Sequence, residues 1–209
     1  MSELPQLPQF RSIWNKPHPS GYLIVMSSER TQQQTFLIDT NIGCLSQAQN
    51  LLESIDDRTY TEPCRLLPDQ RASSQMRHVL EFYECFLNGL ETGHIDYDAR
   101  QRNQLLEQSR EAALDTIQSI IKRLKSHAAL QHDFIIWTRA EDAAHARLDD
   151  SYLTSSVARE LQSLSGHSVH HFALIGVILK LNGYSVPADF GVAPSTLQYR
   201  AACAKAEAA

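Results

Sequence analysis

Four stretches of this chain repeat apolar side chains at steps of three and four residues, the spacing of one face of an α-helix. Ile38, Ile42, Leu45, Ala48, Leu51, Leu52 and Ile55 predict a first helix from about Thr40 to Ser54. Met76, Val79, Leu80, Tyr83, Phe86, Leu87 and Leu90 predict a second from about Ser74 to Leu90, with Ser73 or Ser74 as its cap. Leu105, Leu106, Ala113, Ile117, Ile120, Ile121 and Leu124 predict a third that runs from Asp98 to about Lys125. Asp98 and Gln101 stand at capping-box spacing at its start. The fourth opens at "TSSVARELQSL", with Thr154 to Ser156 as cap candidates, and stops at Asn182-Gly183 and Pro187. Four amphipathic helices of this length predict an all-α fold, an up-and-down four-helix bundle.

The connections are uneven. "DDRTYTEPCRLLPDQRASS", with Pro63 and Pro68, reads as one long loop, and Gly89 and Gly93 break the chain after the second helix. Phe134 to Thr138 is a short β-type run that suits half of a small hairpin inserted in the bundle. "ADFGVAPSTLQYR" reads as an ordered loop that packs back, followed by a short alanine-rich end. Residues 1–35 hold four of the eight prolines and the glutamine-rich "SERTQQQ", and read as an extended arm. The expected division is an arm over 1–35, one helical domain over 36–200 and a tail over 201–209.

Charge and composition exclude several roles. A net charge of -5 argues against a nucleic-acid partner held by a basic surface. Cys44, Cys64, Cys85 and Cys203 form no C-x-x-C pair, so reduced thiols in a cytoplasm are expected rather than a disulfide framework or a thiolate zinc site. The longest apolar run, Phe172 to Leu181, includes Lys180 and is shorter than the roughly 20 residues of a membrane span. The N-terminus lacks the compact charged-then-apolar pattern of a secretory signal.

The chemistry concentrates in "SLSGHSVHHFALIGVILKL". His167 and His171 are four apart, so on a helix they share a face with Leu164, Leu174, Ile175 and Ile178, a face that looks into a core. His170 is turned about 100° away from His171 and need not join them. Two readings stay open from spacing alone: a buried pair satisfied by hydrogen bonds, or two ligands of one metal. His18, His94, His127, His132 and His145 fall in the arm, in loops or near helix ends. His78 alone sits inside a second predicted helix, where it could supply a third imidazole.

The set His78 plus His167-x-x-x-His171 resembles the DinB-like superfamily, four-helix proteins with a three-histidine metal site. The likeness extends to "RHVLEFY", "GHIDYDARQRN", "VARELQSLSGHSVHHFALI" and "VPADFGVAPSTL", which look like one subgroup of that superfamily. With "CLSQAQNLLESIDDRTY" the resemblance covers about residues 36 to 199. It implies that His78, His167 and His171 ligate a divalent transition metal: zinc, nickel, iron or manganese. It also implies activation of water or of a low-molecular-weight thiol such as bacillithiol or mycothiol, in a hydrolase or a thiol S-transferase. The chain departs from the family pattern at Met76 and Phe82, where further histidines are common, and at Phe172-Ala173-Leu174, where the thiol-transferase branch often has Arg-Gly-Gln.

Around that triad several residues are candidates for support. Glu160, seven residues before His167, could accept a histidine N–H, as could Glu81, three after His78, although a solvent-facing salt bridge is the simpler expectation for Glu81. Tyr97, Arg100 and Arg102, with Asp96, could orient an anionic substrate, against plain loop structure and capping. Cys85 reads as a structural thiol before a nucleophile. The expected partner is a small-molecule substrate, with no nucleic acid and no membrane; bundles of this kind often pair, so a homodimer is compatible. The competing reading is a non-catalytic bundle with a structural or vestigial metal, an interaction protein. A structural zinc site usually closes with four protein ligands, and no fourth is evident here.

Overall fold

The computed structural model describes residues 20–139 and 152–207, with side chains from Gln32 to Ala206. Among the described residues the chain is mostly helical, with one small three-stranded sheet. Helix α1 spans Ser20–Ser54, so the segment expected as an arm is helical from Ser20 on. Its stripe behaves as its spacing requires: Leu45, Ala48, Leu51 and Leu52 are fully buried.

The predicted long loop contains a short helix, α2 (Asp57–Thr61), capped by Asp56, whose carboxylate accepts from the Thr59 N–H at 2.8 Å. Tyr60 drives that turn inward: its ring is fully buried and its hydroxyl donates to the Leu106 carbonyl. Asn182, at the far end of the fourth apolar stripe, ties the loop down. Its side chain accepts from Arg65 N–H at 2.8 Å and donates to the Pro63 carbonyl at 3.0 Å.

Helix α3 (Ala72–Gly89) starts at Arg71, which makes no side-chain cap. The predicted cap candidates lie inside it, Ser73 buried and Ser74 donating back to the Arg71 carbonyl at 3.0 Å. After α3 come strand β1 (His94–Asp96) and a single 3-10 turn over Tyr97–Ala99. The third helix predicted from Asp98 is therefore broken. Asp96, not Asp98, caps the turn, by accepting from Asp98 and Ala99 N–H. The Asn103 N–H is then drawn to the buried Glu81 carboxylate at 2.6 Å. Helix resumes as α4 (Leu105–Gln108) and α5 (Arg110–Ser126), the latter capped by Ser109.

The β-type run at Phe134 is strand β2 (Ile135–Arg139). It pairs antiparallel with β3 (Leu153–Ser156) and parallel with β1, giving the order β1-β2-β3. Helix α6 (Val157–Leu181) follows β3 directly, capped by Ser156, one of the predicted caps. Helices α1 and α3 each pack against both α5 and α6. Along α6, Leu164, Ile175 and Ile178 are buried as expected, whereas Leu174 is 38% exposed. A last helix, α7 (Pro194–Glu207), takes in the alanine-rich end and also Pro194 to Arg200, the second half of the segment expected as a loop. No helix of the described residues is long and apolar enough to cross a membrane.

The tail packs back through Phe190, whose ring stacks on Phe172 at 5.2 Å. Gly191 makes this approach: its φ is +69°, and an added Cβ would lie 2.4 Å from the Ala173 nitrogen. Gly191→Ala therefore meets both a strained φ and a backbone clash. We expect a loss of about 2 kcal/mol in chemical denaturation, with the Phe190–Phe172 contact opened.

Candidate metal centre

The contact between α3 and α6 brings the three predicted ligands together. His167 Nε2 lies 3.2 Å from His78 Nε2 and 3.1 Å from His171 Nε2. One ligand atom from each of the three rings falls within 4.8 Å of the others, and all three are half-buried. His170 is exposed, its ring edge against His171 at 5.1 Å. His94 lies on β1 stacked on Trp137, and His127 caps the turn over Ala128–Gln131. His18 and His145 lie outside the described residues.

Hydrogen bonding alone accounts poorly for this cluster. An imidazole nitrogen offers either one N–H or one lone pair. His167 Nε2 meets two other Nε2 atoms at once, so it can satisfy only one of them by a hydrogen bond. Three lone pairs converging on a shared cation satisfy all three. With metal–nitrogen bonds of about 2.0–2.1 Å, ligand nitrogens sit about 2.9 Å apart in an octahedral site and about 3.3 Å in a tetrahedral one. The observed separations of 3.1 and 3.2 Å lie between those limits.

A residue that sequence reasoning missed fixes one ring. His171 Nδ1 lies 2.6 Å from Gln75 Oε1. The amide of Gln75 is itself oriented, since its Nε2 donates to Gln70 Oε1 at 2.9 Å. An amide oxygen only accepts, so His171 carries a proton on Nδ1, and the neutral ring then has its lone pair at Nε2. Gln75 stands three residues before His78, one turn back on the same helix, and that spacing was the only available signal.

Glu160 does not take the role expected of it. It is buried, and its oxygens accept from the Tyr97 hydroxyl at 2.9 Å and the Ser155 hydroxyl at 2.5 Å, not from a histidine. Burial and then the neighbouring Glu160 charge push the Tyr97 phenol well above its ordinary range. Tyr97 also stacks on Phe82 at 4.9 Å, and Phe82 in turn lies 4.2 Å from the His167 ring and 4.8 Å from that of His78. Phe82 thus links the histidines to Tyr97, and the Arg100 guanidinium sits 4.6 Å over the same ring.

Arg100 is 7% exposed and turns towards Glu81 at 3.9 Å, so it lies under the site instead of at its mouth. Glu81 is ion-paired as expected, but it is 2% exposed and not on a solvated face. Arg102 is exposed at a φ of +48°, and no described contact joins it to the histidines. Of the three residues proposed to orient a substrate, only Tyr97 lines the cavity of about 340 Å³ that opens beside His167. Phe82, Leu164, Ser155 and Glu160 line it as well.

Cys85 is half-buried, and desolvation pushes its thiol up to about 11. Its thiolate fraction therefore stays small at neutral pH and grows only as pH approaches that value. Iodoacetamide should label Cys85 slowly at pH 7 and far faster near pH 11; rapid labelling at pH 7 would mark an activated nucleophile instead.

No known family's sequence profile matches the chain, and no solved structure does either. Among curated proteins, a Rhizopus delemar protein named FK506-binding protein 5 is 32% identical over 165 residues. The match takes in 78% of this chain but 37% of that protein, so the chain spans little more than a third of the length of its relative.

Proposed function

We propose that the chain is a DinB-like four-helix protein that holds one divalent transition metal on His78, His167 and His171, and that it acts on a small molecule in the cavity beside His167. The observation that carries this reading is the meeting of three Nε2 atoms, with His167 at 3.2 Å from His78 and 3.1 Å from His171, the spacing of donors around one metal ion. The mutual packing of α1, α3, α5 and α6 supports the bundle. Zinc, nickel, iron and manganese all accept such a donor set. Bound there, the ion would supply a Lewis acid that draws the pKa of a water towards about 7 or takes a thiolate. Hydrolysis and thiol transfer are the two reaction classes this serves.

The chain's own residues do the rest. Gln75 accepts from His171 Nδ1, which in the neutral ring leaves the Nε2 lone pair facing His167. Phe82 packs on His78 and His167 and shields one side of the cluster. The cavity leaves room on the His167 side for a reacting molecule. Gln75→Leu removes the acceptor that sets the tautomer, so metal affinity should fall about tenfold to a hundredfold with the stoichiometry unchanged. Unchanged affinity would mean that the tautomer is not set there. Turnover of simple esters or thiols by the loaded wild type, absent in His167→Ala, would separate the enzyme from a metal-binding scaffold.

One observation favours a second reading, a non-catalytic module. The matched segment is a minor part of a longer protein whose name states that it binds FK506. A domain of this kind can serve as an interaction unit beside another activity. Saturable FK506 binding by this chain, with no turnover in the loaded state, would favour that reading.

A further inference from the structure

The cavity beside His167 has an apolar side, formed by Phe82 and Leu164, and a polar side that carries two opposite charges. Those charges belong to Arg159 and Glu160, consecutive on α6 and so turned about 100° from each other. Among the described residues no ion pair joins them, and the described partners of Glu160 are two neutral hydroxyls, those of Tyr97 and Ser155. Glu160 is 8% exposed. A carboxylate held so deep by neutral donors alone keeps a desolvation cost that a cation would offset. Each of its oxygens accepts one hydroxyl and retains a second lone-pair site. Arg159 is exposed at the rim of the same cavity, with its planar donor fork open to a carboxylate.

We infer that this cavity takes a small zwitterion of amino-acid type, its ammonium on Glu160, its carboxylate on Arg159, and its side chain along Phe82 and Leu164 towards the histidines. The inference rests on the proposed metal site only for what the side-chain end would meet; recognition of the two charges needs no metal. A lone amine would leave Arg159 facing a cation, and a lone acid would leave Glu160 uncompensated. The zwitterion is the ligand class that answers both.

The test uses three probes with the same ring: L-phenylalanine, phenethylamine, which lacks the acid, and 3-phenylpropionate, which lacks the amine. Each is titrated into the full chain by NMR, once as purified and once after chelation, with metal content measured on both samples. L-Phenylalanine should bind about tenfold more tightly than either one-charge probe in both samples. Glu160→Gln should remove its advantage over 3-phenylpropionate, and Arg159→Gln its advantage over phenethylamine. Equal binding of the three probes, no binding at all, or full retention of the preference in Glu160→Gln would overturn the inference. If Glu160→Gln does not fold, Arg159→Gln decides alone, since Arg159 is exposed and retention of the preference there is equally fatal. The charge pattern surviving in a protein that never takes up metal would uphold the zwitterion site and remove the metal reading; metal uptake without the charge pattern would do the reverse.

Discussion

Glu81→Ala should destabilise the protein by about 3 kcal/mol, lowering the thermal midpoint by roughly 6–12 °C for a chain of this size. The carboxylate is 2% exposed and serves three groups at once. Its Oε2 pairs with Arg77 at 2.8 Å and faces Arg100 at 3.9 Å, while its Oε1 accepts the Asn103 N–H at 2.6 Å. Removing one partner of a buried ion pair leaves the other charge desolvated, which costs more than the pair contributed. Arg77 is 20% exposed and keeps Glu107 at 2.6 Å, so the loss falls mainly on Arg100, which is 7% exposed, and on the Asn103 turn. The site should loosen as well, because Arg100 lies over Phe82 and Phe82 packs on His78 and His167. A change under 1 kcal/mol in urea denaturation would mean that water reaches this pair freely.

The second large effect concerns the histidines. His171→Ala removes one of three converging donors and the contact with Gln75, but the gap opens at a half-buried position beside an exposed His170. Metal binding should be lost while the helical content and the cooperative unfolding transition remain. Two imidazoles without a third donor hold a divalent ion far less tightly than three, since each ligand lost must be replaced by water.

How far could this have been read without a structure? The apolar stripes were legible wherever burial follows helical spacing, as at Leu45, Leu51, Met76, Val79, Leu164 and Ile175. The spacing of His167 and His171 was legible for the same reason, and the resemblance pointed to His78. Helix boundaries failed where no stripe marks them. Ser20 to Gln33 runs from the apolar stretch Tyr22 to Met26 straight into the polar Ser27 to Gln33, so no three- and four-residue stripe marks a helix there. The apparent capping box at Asp98 failed because a distant carboxylate, Glu81, takes the Asn103 N–H and turns the chain before helix can begin. Strands β1 and β3, of three and four residues, carry no signal until β2 pairs with both. The same limit hides Gln75 as the orienter of His171 and gives Glu160 its partners in Tyr97 and Ser155, contacts made across the fold by packing that local sequence does not record.

The most direct test is the metal content of untagged protein, wild type beside His167→Ala, by elemental analysis. The account predicts about one equivalent of a transition metal in the wild type and none in the variant, with both folded. No metal in either, after incubation with zinc, nickel, iron(II) and manganese, would contradict it and leave the three histidines as polar residues of the α3–α6 contact.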